Sequence, residues 1–101
     1  TIMSDKPAYI IVDVDIHNPE EYEHYKQKVV PIVTSFGGKY LARGGEMDII
    51  NDGLWRPTRM VLLTFPSASI AREFMESDAY APVRKMREDN STGTLVILEG
   101  I

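Results

Sequence analysis

The sequence predicts an α+β fold in which two helical regions cover one face of a four-stranded antiparallel sheet. Three observations carry it: apolar residues alternate with period two from Ala8 to Ile16, they recur at helical spacing between Asn18 and Gly37, and the rest of the chain reads as two strands, a helical region and a final strand.

Each element follows from its residues. In the first strand Ile10, Val12, Val14 and Ile16 point one way, and Tyr9, Ile11, Asp13 and Asp15 the other. Asn18-Pro19-Glu20-Glu21 opens a helix: Asn caps free amides, Pro suits the first helical position, and Glu at the third completes a capping box. Tyr22, Tyr25, Val29, Ile32, Val33 and Phe36 form its stripe, Pro31 is expected to kink it, and Gly37-Gly38 ends it. A second strand over Lys39–Arg43 is disturbed by Gly44-Gly45, which suggests a bulge or a close approach to the backbone, and resumes from Met47 to Ile50. Asn51-Asp52-Gly53 is a turn, and Arg59–Phe65 is the third strand. Ser67 caps a helix with Ile70, Ala71, Phe74 and Met75 as its stripe; Ser77-Asp78 caps a further segment carrying Tyr80, Val83 and Met86. Thr94–Glu99 is the last strand. The order is β-α-β-β-α-β, the ferredoxin-like arrangement.

In that topology the uncovered sheet face meets water and is expected to be polar. Strands one, three and four instead carry apolar residues on both sides: Ile11, an alternate set from Arg59–Phe65, and one of the pairs Val96 and Leu98 or Leu95 and Ile97. A second copy of the chain is the expected cover, giving a homodimeric α/β barrel through the sheet face.

Composition bounds the rest. The 101 residues give residues 1–7 as a flexible N-terminus, with Met3 as the native start, and 8–101 as a single domain. With no Cys, disulfides, thiolate zinc sites and cysteine nucleophiles are excluded. No apolar run reaches membrane-spanning length and no signal core is visible, so a cytoplasmic location is the expectation. A net charge of −4 argues against nucleic acid as a partner, and Arg84, Lys85 and Arg87 read as cations complementing a helix C-terminus.

The residues able to carry chemistry are few. Asp13, Asp15 and His17 share one strand face by spacing, which suits a metal or an acid–base pair, although salt bridging and solvation explain them more simply; His24 stands alone, and no metal is expected. Arg43-Gly44-Gly45 sets a guanidinium beside accessible amides, and Trp55-Arg56-Pro57, followed by Arg59, adds an aromatic beside two more cations. A small planar anion is the ligand such a surface suits; the structural alternative is Trp55 plugging the barrel edge with arginines paired to Asp13, Asp15 or Glu46. Tyr22, Tyr25 and Tyr80 read as core or interface residues, and no serine shows a triad partner.

The runs from Ala8 to Val14 and from Asn18 to Tyr22, then Gly37 to Gly45, Trp55-Arg56-Pro57, Phe65-Pro66-Ser67, Ser77 to Tyr80, and Arg87 before a final strand ending Glu99-Gly100 together resemble the bacterial family labelled domain of unknown function 1330. The resemblance implies a dimeric α/β-barrel fold and no established reaction; fold relatives include cofactor-free monooxygenases, haem-degrading enzymes and chlorite-dismutase-like proteins, but no His here suits a haem ligand. The expectation is a homodimer without cofactor, with a small-molecule cavity between helices and sheet lined by Asp13, Arg43, Trp55 and Arg56. Arg43 and Arg56 would hold an anionic or carbonyl-bearing ligand, Trp55 would stack on it, and Asp13 would orient it or act as base. The alternatives are a non-enzymatic dimeric binding or structural module and, by fold analogy, a cofactor-free oxygenase.

Overall fold

Strand β1 (Ala8–Ile16) is the spine of the sheet, because its alternation lets it pair on both edges while burying one face. The computed structural model describes residues 6–101; of the expected flexible start at 1–7, residues 1–5 lie outside the described residues. Pro7 is already tied in, its carbonyl accepting from Gly100 N–H at 2.7 Å. β1 pairs antiparallel with β3 (Met60–Phe65) on one side and with β4 (Ser91–Glu99) on the other; β2 (Lys39–Arg43) adds to the outer edge of β3. The order β2-β3-β1-β4 is that of a ferredoxin-like fold. β4 starts at Ser91, three residues before the expected Thr94: Ser91, Thr92 and Gly93 continue the ladder opposite Ile16, Asp15 and Val14.

Helix α1 (Pro19–Ser35) begins where Asn18 Oδ1 accepts from Glu21 N–H. Tyr22, Tyr25, Val29 and Val33 are buried against the sheet. The helix passes through Pro31 as one element, since Pro31 and the Gln27 carbonyl it deprives of a bond both lie on the exposed side. It stops in a Schellman motif: Gly38 N–H reaches Val33 O, Gly37 N–H reaches Thr34 O, and Gly37 takes φ +79°.

Helices α2 (Ala68–Glu76) and α3 (Ala81–Asn90) cover the same face as α1. Ser67 Oγ caps α2 by accepting from Ile70 N–H at 3.2 Å. Ser77 closes α2 and accepts from Tyr80 N–H, so it caps the connecting turn, and Tyr80 precedes α3 rather than lying within it. The core lies between this helical layer and the sheet, centred on Phe65, Phe74 and Tyr80, whose rings stack at 5.3 and 4.4 Å. Full burial of Phe65 and Phe74 contributes about 1.5–3 kcal/mol each.

The strand expected to resume at Met47–Ile50 does not form, and residues 44–59 run as a loop between β2 and β3. β2 ends at the pair Arg43↔Val61, where Gly44 at φ +67° turns the chain off the ladder. The opposite sheet face carries Tyr9, Ile11, Met60, Leu62, Val96 and Leu98, with Val96 and Leu98 about half exposed (48% and 53%). The four-stranded ferredoxin-like fold and the apolar character of both sheet faces are as the sequence predicts.

Candidate functional site

A cavity lies between the helices and the sheet, with an apolar wall from Ile10, Val29, Val33, Leu63 and Phe74. Its interior volume is ≈30 Å³, so it is a narrow slot. Along α1 its lining runs from Tyr22 to Val33, about three turns or roughly 16 Å. The polar lining is cationic or phenolic: Arg43, Arg59, Arg87 and Lys26 with Tyr22, Tyr25, Tyr40 and Tyr80, and no carboxylate or imidazole among the described residues.

The local sequence explains how these groups meet. The register of β2 shifts between Tyr40 and Ala42, a bulge at Leu41 that puts both Tyr40 and Arg43 on the helix side, where an unbroken strand would put them on opposite faces. The Arg43 guanidinium then lies 4.8 Å from the Tyr40 ring centroid. Arg59 shares the parity of buried Val61, Leu63 and Phe65, so its side chain enters the helix side. It passes against Gly44, where a Cβ would sit 2.6 Å from Nη2; this is the close approach to backbone that the Gly-Gly pair suggests. The guanidinium lies 6.0 Å from the Tyr22 ring centroid, and its Nη1 is buried without a hydrogen-bond partner. A buried charged donor left so is costly and calls for an acceptor.

Electrostatics set the protonation states of the phenols. Burial pushes the Tyr22 hydroxyl above 10.0, and the nearby Arg59, Arg87 and Arg43 guanidiniums only partly offset it. Burial likewise raises Tyr40 to about 12 and lifts Tyr25 further, with the Tyr80 hydroxyl adding to the latter. The three phenols are neutral hydrogen-bond donors at pH 7. Tyr25 and Tyr80 share one hydrogen bond at 3.3 Å deep in the slot.

Asp13 lies on the other face of the sheet. Its Oδ1 accepts from the backbone N–H groups of Thr58 (2.8 Å) and Arg59 (3.1 Å), and its Oδ2 from the Trp55 indole N–H (2.8 Å). Desolvation acts to raise its pKa, but those three donors outweigh it and hold the carboxyl below 3.8. Asp13 therefore clamps the end of the 44–59 loop and fixes the backbone of Arg59, whose side chain serves the opposite face. With Ile11, Trp55, Met60, Thr94 and Val96 it borders a broad hollow of ≈530 Å³ on the open face.

The four residues expected to share one cavity between helices and sheet therefore divide. Asp13 and Trp55 meet on the open face, Arg43 lines the helix-side slot, and Arg56 sits on the exposed loop paired with Asp52 at 3.2 Å. Asp15 and His17 are exposed, His17 Nε2 lies 3.1 Å from Thr92 Oγ1, and no cluster of three or more potential metal ligands occurs among the described residues. Of the basic triplet, Arg84 donates to the Met75 carbonyl at the end of α2, Lys85 pairs with Asp89, and Arg87 lines the slot. The sequence reading set Arg59 beside Trp55 and Arg56 on a recognition surface but not in the cavity, and passed over Arg87 and Tyr40 as site residues. The parity of Arg59 with Val61 and Leu63 was a visible signal; the bulge that aligns Tyr40 with Arg43 was not.

The family model described as a domain of unknown function, DUF1330, matches residues 7–101. The chain belongs to this family. No curated protein matches the sequence. Among solved structures the chain is similar to RPA0582, a protein of unknown function from Rhodopseudomonas palustris, at 18% identity and a TM-score of 0.75, over 97% of this chain and 85% of that one. A hypothetical Arabidopsis thaliana protein, AT3G17210, is similar at 14% identity and TM-score 0.68, over 98% and 94% of the chains. SnoaB, a cofactor-independent oxygenase from Streptomyces nogalater, is similar at 11% identity and TM-score 0.62, over 94% and 92%. At these identities the likeness is one of fold. No helix among the described residues is long and apolar enough to cross a membrane.

Proposed function

We propose that this DUF1330 chain is a homodimeric small-molecule-binding protein whose ligand, anionic or carbonyl-bearing, enters the slot between helices and sheet. The observation that carries the reading is Arg59 Nη1, a cationic donor buried without a partner in a slot lined by donors and apolar side chains. Oxygen acceptors on a ligand would satisfy it. Arg43 and Arg87 supply further charge, Tyr22 supplies a neutral hydroxyl, and Asp13 acts from the far side of the sheet by fixing the Arg59 backbone. A thermal-shift screen of small carboxylates and carbonyl compounds tests this. Ligand shifts lost in Arg59→Ala and reduced in Arg43→Ala support it, with Arg56→Ala as the neutral control; equal shifts in all variants, or no shift, count against it.

The second copy belongs to the same reading. The open face carries Ile11, Met60, Leu62, Val96 and Leu98 around a hollow, and all three helices pack on the other side. A like face from a second chain is the cover that buries this surface symmetrically. Sedimentation at micromolar concentration giving the mass of one chain would overturn the dimer.

One observation favours a different reading, a structural module without ligand: the carboxylate of Asp13 is fully engaged in holding its own chain. In that case Asp13→Asn lowers stability and the screen stays silent. A cofactor-free oxygenase draws only on the fold shared with SnoaB. Here the slot offers no carboxylate or imidazole base among the described residues, and oxygen uptake with quinol-type substrates is its assay.

A further inference from the structure

The slot is polar at one end and apolar at the other. Three guanidiniums, from Arg59, Arg87 and Arg43, act on the Tyr22 hydroxyl near the start of α1, so positive charge gathers there. Toward the end of α1 the lining is Val29 and Val33, faced by Leu63 and Phe74. Two of the four cations already have acidic neighbours, Lys26 at 2.9 Å from Glu23 and Arg87 at 3.7 Å from Glu88. That leaves Arg59 and Arg43, of which Arg43 is exposed and screened by water, while Arg59 alone holds a buried donor without a partner. One such buried cation suits a single negative charge, and the −4 charge of the chain repels polyanions further.

Shape adds a second restriction. A lining that runs roughly 16 Å along α1 but encloses only ≈30 Å³ is long and thin. A branched or globular body would displace the Phe74 and Val29 side chains, which are 3% and 2% exposed and close-packed. An unbranched chain asks for the smallest displacement of the lining, and Lys26, Met75 and Arg43 are among the lining side chains that are partly or fully exposed.

From these features we infer that the ligand class is the slim amphipathic monocarboxylate: the head group accepts from Arg59 beside Tyr22, and an unbranched apolar tail lies along Val29, Val33 and Phe74. This rests on the slot being the binding site, and it adds the ligand's charge, its length and its lack of branching. A carboxylate head gives Arg59 Nη1 its acceptor, and the tail takes apolar surface out of water.

Isothermal titration with four probes separates the claims: octanoate, octanol, acetate and the globular cage acid adamantane-1-carboxylate. Octanoate should bind, and the other three should each be weaker by about tenfold or more, the scale of losing a charge-assisted bond or most of the buried tail. Arg59→Met, which keeps an unbranched apolar stem and removes the guanidinium, should abolish the preference for octanoate over octanol. Should that variant fail to fold, Arg43→Met should still narrow the preference. If octanol matches octanoate, the assigned head group is wrong. If acetate or the adamantane acid matches it, the assigned tail is wrong while the slot remains a binding site. If none of the four binds at millimolar concentration and the wider screen is silent too, the slot reading falls with it.

Discussion

Replacing Asp13 with Asn changes one atom and weakens the side-chain clamp that ties the end of the 44–59 loop to the sheet. The carboxylate accepts three hydrogen bonds, from Thr58 N–H, Arg59 N–H and the Trp55 indole. Asparagine keeps one oxygen for the two amides without the charge, and turns an NH₂ group toward the indole N–H. Hydrogen bonds to a charged group are worth about 1.5–3 kcal/mol when buried, and about 1 kcal/mol each where water competes, as at half-exposed Asp13. Loss of one bond and of the charge on two others comes to about 2 kcal/mol. For a domain of this length that is a fall in Tm of about 8–15 °C, read by calorimetry at equal protein concentration. The sign with pH follows from the depressed pKa. The contribution of Asp13 is complete above its unfolded value, 3.8, and is lost as pH falls through the lower folded value. The gap between wild type and variant should thus be constant from pH 5 to 7 and close in strong acid. A gap below about 0.5 kcal/mol at pH 7, or one that persists unchanged at pH 2, would refute the clamp.

Three further outcomes follow from the same geometry. Burial keeps Tyr22, Tyr25 and Tyr40 protonated past their ordinary value of 10.0, so a tyrosinate absorbance titration should show a deficit at pH 11 that disappears on unfolding; full ionisation at pH 11 in the folded protein would contradict their placement. Gly44→Ala puts a Cβ at φ +67° against the Arg59 guanidinium, and should cost about 1–2 kcal/mol by urea denaturation while weakening ligand binding; a neutral result would show that the guanidinium does not lie against Gly44. Val96→Glu places a charge on the open face opposite Ile11, and should yield single chains in sedimentation without loss of helical signal; an unchanged mass would move the interface elsewhere.

The fold was legible because its signals are local and periodic. Alternation in Ala8–Ile16, the Asn18 cap and the Gly37-Gly38 stop each depend on a few neighbouring residues, and they sit where the sequence places them. The site was less legible because it depends on which side of the sheet each residue takes. A bulge at Leu41 reverses parity within β2, and no residue type announces it. Asp13 attracted notice as a carboxylate on an apolar strand, yet its partners are 42 to 46 residues away and two of them are backbone amides, which every sequence supplies. Arg87 was read as complementing its helix end, and only the packing of α3 on α1 shows that it also faces the slot. The apolar open face was readable from composition and register alone, and the structure settles which pair of β4 residues lies on it: Val96 and Leu98.

The central claim is that the ligand enters the helix-side slot and meets Arg59 there, on the side of the sheet away from Asp13 and Trp55. A crystal soaked with 8-bromooctanoate, with the bromine located by its anomalous signal, tests it directly. The account places the carboxylate at Arg59 and the bromine near Val33 and Phe74. Bromine in the hollow beside Trp55 and Val96, with the slot unoccupied, would contradict it.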